Sequence, residues 1–60
     1  MQEARKAKGL TRKQLATIVG CSASMIVKIE RGEKSPSMDM AGRISKALGQ
    51  TVDKLFFAQN

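Results

Sequence analysis

A chain of 60 residues has room for one small domain, and its 11 Lys and Arg against 5 Asp and Glu give a net charge of +6 that favours a polyanionic partner. A single cysteine and the absence of histidine exclude an internal disulfide and leave no recognisable zinc-binding pattern. No apolar run is long enough for a membrane span and the start lacks the apolar stretch of a signal peptide, so we expect a cytoplasmic protein.

The first two predicted helices each end at a glycine. Residues 1–8 form the first, and Gly9 suits the left-handed position that follows a helix end. Thr11 and Gln14, three residues apart, have the pattern of a capping box that begins the second helix, and Gly20 ends it. The predicted apolar face of this second helix consists of Leu15, Ile18 and Val19.

Capping residues and glycines further along the chain predict three more helices. Ser22 caps a third helix that runs to Arg31 and is closed by Gly32. Ser37 caps a fourth that ends at Gly49. Its predicted apolar face consists of Met38, Ala41, Ile44, Ser45 and Leu48. Thr51 caps a last short turn that contains Val52, Leu55 and Phe56. We therefore predict an all-α fold in a single domain spanning residues 1–60.

The second and third helices are separated only by a two-residue corner, Gly20 and Cys21, which is the spacing of a helix-turn-helix. On the third helix, a rotation of about 100 degrees per residue places Ser24, Lys28 and Arg31 opposite Ile26. Such a polar and basic face can enter a DNA major groove, where Ser and Lys read base edges. An ordinary solvated surface would have the same composition.

The chain resembles the lambda-repressor-like family, also called the Cro or XRE type of helix-turn-helix domain. The matching residues are Arg5, Gly9, Leu10, Thr11, Gln14, Leu15, Ala16, Val19, Gly20, Ser22, Ile26, Ile29, Glu30, Arg31, Gly32, Pro36, Ser37, Ala47, Leu48, Gly49, Val52, Asp53, Lys54, Leu55 and Phe56. The resemblance implies a compact five-helix DNA-binding domain whose second helix positions the third, the recognition helix, on DNA.

The resemblance also implies a role for individual residues. Those carried over as base contacts are Ser22, Ala23, Ser24, Val27 and Lys28. Those carried over as phosphate contacts are Arg12, Arg31, Lys34 and Ser35. Arg5 and Glu30 are expected to form a structural ion pair between the first and third helices.

At several positions the sequence departs from the family pattern. Ala23 stands where relatives often have a long polar reader, so base specificity is expected to depend more on Lys28. Arg12 replaces a frequent Gln, which should strengthen phosphate binding and its salt dependence. Cys21 occupies a position that is usually aliphatic, and we expect it to pack in the core rather than sense redox state.

These observations predict a sequence-specific regulator of transcription that binds double-stranded DNA. We expect a homodimer that represses from a two-fold operator, associates with the nucleoid when bound, and dimerises through residues 55–60, which begin with Leu55 and end with Asn60. The alternative is a protein-interaction module, such as an antitoxin or antirepressor-like partner that docks through Ile18 and Phe57. No enzyme activity, metal, cofactor or small-molecule ligand is expected, because no histidine is present and no nucleophile is paired with a base.

Overall fold

The computed structural model describes residues 1–57, and this range forms five helices and no β-strand. The helices are α1 (Gln2–Ala7), α2 (Arg12–Val19), α3 (Ala23–Glu30), α4 (Met38–Leu48) and α5 (Asp53–Phe57), the last with π-type hydrogen bonding. The all-helical fold that the sequence predicted is confirmed.

Ser and Thr side chains begin four of the helical segments. Each accepts a hydrogen bond from the backbone N–H three residues later, which satisfies a donor that the helix itself cannot pair. The four bonds, 3.0–3.1 Å long, run from Gln14 to Thr11, from Met25 to Ser22, from Met40 to Ser37 and from Lys54 to Thr51. Gln14 Oε1 accepts from the Thr11 N–H at 2.9 Å in return, so the predicted capping box is confirmed.

Helix α1 is shorter than predicted at both ends. Met1 is its N-cap and makes no side-chain cap hydrogen bond, because a thioether is a poor acceptor for the orphan N–H groups of a first turn. At the other end Lys8 is the C-cap, with right-handed φ and ψ, and Gly9 after it adopts φ of 72°. Helix α3 ends in the same way, one residue before the predicted Arg31.

The core lies where α2 packs against α3 and α4. Its fully buried side chains are Leu15, Val19, Ile26, Ile44 and Leu48. Two residues that the sequence placed on apolar faces are instead exposed, Ile18 by 59% and Met38 by 81%. Ile18 lies about 100 degrees around α2 from the centre of the buried stripe, and Met38 is the first residue of α4, beyond the edge of the core.

Candidate nucleic-acid interface

Helices α2 and α3 form a short bent pair, held by a tight corner. Gly20, the C-cap of α2, has φ of 84°, a left-handed conformation that a residue with a Cβ adopts only with strain. The N–H groups of Gly20 and Cys21 both donate to the Ala16 carbonyl, at 2.8 and 2.9 Å. Ser22 follows directly as the N-cap of α3. The corner therefore has the geometry of a helix-turn-helix.

Cys21 is half-buried and packs against the core at this corner. Burial raises the pKa of the Cys21 thiol, which keeps it protonated and poorly nucleophilic. This environment is that of a packing residue, as the sequence predicted.

The two faces of α3 differ sharply in burial. Ile26 and Ile29 pack in the core, whereas Ser24, Lys28 and Arg31 are exposed on the opposite side. Lys28 makes no ion pair with any described residue, so its ammonium group is available for an anion or a base edge. The predicted division of α3 into an inner and an outer face is confirmed.

The other three candidate base contacts differ in exposure and in what they offer a ligand. Ser22 is exposed, but its hydroxyl oxygen accepts the cap hydrogen bond from Met25, so its hydroxyl proton is the part left to donate. Ala23 and Val27 are half-buried, and Ala23 packs partly against the core. What these two residues offer a ligand is a small area of methyl surface.

All four candidate phosphate contacts are exposed. Arg31 forms an ion pair with Glu33 at 3.1 Å, but its side chain remains 67% exposed. Lys34 and Ser35 follow in the loop between α3 and α4. Arg12 is the first residue of α2, and its side chain is 45% exposed.

A cluster of three charged residues connects α1, α2 and α3. Glu30 Oε2 accepts from Arg5 Nε at 2.7 Å, and Glu30 Oε1 accepts from Arg12 Nε at 3.0 Å. Arg5 Nη1 also donates to the Leu10 carbonyl at 2.7 Å, which fixes the loop before α2. Burial opposes ionisation of Glu30, but the hydrogen bonds and charges of Arg5 and Arg12 outweigh it and lower the pKa of the carboxyl.

The contact of Arg5 with Glu30 was expected from the sequence, but the contact of Arg12 with the same carboxylate was not. A further unexpected contact is made by Arg43, which donates from Nη1 to the Val19 carbonyl at 3.3 Å and so joins α4 to the end of α2. Both contacts connect residues far apart in the chain, and no local pattern marks them.

An open groove of about 470 Å³ lies beside the end of α3. Its lining includes Ile29, Met38, Leu55 and Phe56 together with the basic residues Arg31 and Lys34. Leu55 and Phe56 belong to the segment predicted to form the dimer surface, and both are half-buried. Residues 58–60 of that segment, and the side chain of Phe57, lie outside the described residues. Of the helices described, none has the length and apolar character needed to cross a membrane.

Comparison with known proteins gives a family match over nearly the whole chain. The family model described as "Helix-turn-helix" matches residues 1–55. An HTH-type transcriptional regulator of Methanothermobacter thermautotrophicus is 44% identical over 50 residues, covering 83% of this chain and 72% of the relative. One of Methanocaldococcus jannaschii is 33% identical over 51 residues, covering 85% and 77%.

A human relative shows that the same domain also occurs within longer proteins. Endothelial differentiation-related factor 1 is 37% identical over 49 residues, which cover 82% of this chain but 33% of the human protein. The match over residues 1–55, the five helices and the corner at Gly20 agree with one another. The chain belongs to the XRE-type, lambda-repressor-like family of helix-turn-helix domains.

Proposed function

We propose that this chain is a sequence-specific DNA-binding regulator of transcription that places α3 in the major groove. The observation that carries the proposal is the outer face of α3, where Ser24 and Lys28 are exposed and Lys28 has no ion-pair partner among residues 1–57. A helix with small side chains near its start can approach base pairs closely, and a lysine further along reaches guanine O6 and N7. The relatives named as HTH-type transcriptional regulators support the same function.

The contacts divide into two classes in this proposal. Base edges are read by Ser22, Ala23, Ser24, Val27 and Lys28. Backbone phosphates are bound by Arg12, Arg31, Lys34 and Ser35, which fix the register of the domain on DNA without reading sequence. The net charge of +6 supplies attraction that does not depend on sequence.

The regulator acts as a dimer on a two-fold site and represses by covering a promoter. One small module buries only about 600–1,000 Å² on DNA, so a single copy binds modestly and a second copy adds the missing affinity. Residues 55–60 are proposed as the dimer surface, because Leu55 and Phe56 bring half-buried apolar side chains to the groove beside α3. Such a protein works in the cytoplasm, at the nucleoid.

The test is selection from a random duplex pool, run in parallel for the wild type, Lys28→Ala and Lys46→Ala. Lys46 is exposed on α4 and is not one of the proposed DNA contacts. Its substitution therefore removes the same charge without removing a base contact. We expect a motif for the wild type, the same motif for Lys46→Ala, and altered base preference for Lys28→Ala. The lost discrimination should be about 1–3 kcal/mol at one or two positions.

Two results would count against the proposal. Identical motifs for the wild type and Lys28→Ala would show that Lys28 does not contribute to base recognition. Binding without any motif, weakening only as salt rises, would mean that this domain does not select sequence by itself. A protein-interaction role, with exposed Ile18 as a contact, would then be the better hypothesis.

A further inference from the structure

The cluster of Arg5, Glu30 and Arg12 places a carboxylate inside a basic domain and gives each of its oxygens a different guanidinium partner. Arg5 Nε lies 2.7 Å from Oε2, and Arg12 Nε lies 3.0 Å from Oε1. The two arginines come from α1 and α2, whereas Glu30 is the last residue of α3. Glu30 therefore connects the recognition helix to the start of the positioning helix.

The positive charge of this cluster reaches solvent through one residue. Two guanidinium groups and one carboxylate sum to a charge of +1. The side chains of Arg5 and Glu30 are only 6% and 2% exposed, whereas that of Arg12 is 45% exposed. An anion that neutralises the cluster therefore has to approach Arg12.

The hydrogen bond to Glu30 determines which part of Arg12 remains for that anion. Nε is engaged, and the N–H groups of the two terminal nitrogens form the other edge of a planar group. A guanidinium presents two parallel N–H donors to a phosphate, which is the geometry of a bidentate contact. A lysine at this position would have a single ammonium, which could not make both contacts with the same planar geometry.

We propose that Glu30 is a positioning residue for DNA binding, because it holds Arg12 by Nε and directs the terminal nitrogens toward one backbone phosphate. This inference rests on the proposed function and deepens it, since a buried acidic residue of the recognition helix now sets the geometry of a phosphate contact. It also predicts an effect on DNA binding that is opposite in sign to the effect of charge alone. Removal of a negative charge should strengthen attraction to DNA, whereas loss of the Glu30 contact should weaken binding.

The experiment is a double-mutant cycle with Arg12→Gln, Glu30→Gln and the double variant. Affinity is measured for a random-sequence duplex of roughly two helical turns, because phosphate contacts do not depend on sequence. Circular dichroism is used to choose a temperature at which all variants are folded. We expect Arg12→Gln to weaken binding about tenfold, the loss of one charge-assisted contact. Glu30→Gln should weaken it severalfold in the wild-type background and have no further effect with Arg12→Gln.

Two control variants separate positioning from charge. Glu3→Gln makes the same change in charge at an exposed glutamate of α1 that forms no ion pair with a described residue, and it should leave binding unchanged or slightly tighter. Lys46→Gln makes the same change in charge as Arg12→Gln at an exposed residue of α4 outside the cluster, and its effect should be well below that of Arg12→Gln.

Arg12→Lys keeps the proposal testable if Glu30→Gln does not fold. This variant retains the charge and removes only the planar fork, and we expect it to bind nearly as weakly as Arg12→Gln. Wild-type affinity in Arg12→Lys would overturn the proposal. So would a Glu30→Gln variant that binds more tightly, or one that weakens binding equally with and without Arg12.

The outcomes also distinguish this inference from the proposed function. A wild-type protein that selects a motif but is insensitive to Arg12 and Glu30 substitutions would overturn the positioning role alone. Coupling of Arg12 with Glu30 on the random duplex, without any selected motif, would support the positioning role and contradict sequence-specific regulation. A wild-type protein that binds no duplex would overturn both.

Discussion

Glu30 remains ionised inside the domain because two arginines share it. Its side chain is 2% exposed, and burial alone would disfavour the charged form. The nearby Arg5 side chain, 6% exposed, has the opposite requirement, since it would be a buried cation without the carboxylate. Removing one member of such a pair costs roughly 3–5 kcal/mol, which is comparable with the whole stability of a 60-residue domain, roughly 3–9 kcal/mol.

This pairing predicts that stability decreases in acid. Burial opposes ionisation of Glu30, but the hydrogen bonds and charges of Arg5 and Arg12 outweigh it and hold the pKa of the folded carboxyl below its ordinary value of 4.5. The stabilisation is therefore complete above the unfolded pKa and is lost as pH falls through the lower folded pKa, where the unfolded state binds more protons. Urea unfolding of the wild type between pH 7 and pH 3 should show a decrease in the free energy of unfolding that begins below about pH 5.

A comparison of two variants assigns this decrease to its source. Glu33→Gln removes an exposed carboxylate, 48% exposed, and should retain most of the pH dependence. Glu30→Gln should be much less stable at pH 7 and should show a shallower dependence below pH 5. Parallel curves for the wild type and Glu30→Gln would show that other carboxylates cause the acid sensitivity.

At the scale of helices, local patterns predicted the boundaries to within one residue. Thr11, Ser22 and Ser37 cap the helices they were predicted to cap, because a capping hydrogen bond involves groups only three residues apart. The exposure of Met38 was not predicted, whereas Ile18 was assigned to the apolar face of α2 and, in the alternative function, to an exposed contact. Spacing defines a stripe on a helix but not its width, and the width depends on which neighbouring helices cover it.

The sequence predicted part of the candidate nucleic-acid interface: the outer face of α3, but not the contact between α2 and α3. Helix rotation alone placed Lys28 and Ser24 on the outer face of α3, opposite Ile26. The contact of Arg12 with Glu30 joins residues 18 positions apart on two helices, so it depends on how α2 and α3 pack. Residue pattern could identify both as charged, but only the tertiary structure brings them together.

Gly42 offers a test of helix propensity separate from packing. It lies inside α4, is exposed, and an added Cβ would meet no atom within 4 Å. Gly42→Ala should raise the free energy of unfolding by about 0.5–1 kcal/mol, because the unfolded chain loses conformational freedom and the helix gains a better former. Thermal or urea unfolding of the variant measures the change.

Gly32→Ala is the matched control for Gly42→Ala. Its Cβ would also meet no atom within 4 Å, but Gly32 has φ of 75°, a left-handed conformation. The same substitution should there lower stability by about 1–2 kcal/mol. A destabilised Gly42→Ala would show that α4 requires backbone freedom at this point.

At the scale of the whole molecule, size limits how much DNA one copy can read. The backbone of the described residues extends 27 Å along its longest axis. Successive major grooves on one side of a duplex are roughly 34–36 Å apart, so under the proposed function one α3 helix would read one groove and a second copy would be needed for the next.

The spacing of half-sites on DNA tests whether two copies bind together. A duplex with both half-sites of the selected motif should bind two copies cooperatively. Insertion of roughly half a helical turn, about 5 base pairs, should abolish cooperativity without changing either half-site, because the second copy is rotated to the opposite side of the duplex. Gel shifts combined with sedimentation measure affinity and stoichiometry for the two duplexes and for one with a single half-site. Equal affinity per copy on all three would mean that the copies do not touch on DNA, and that the sequence is read by monomers.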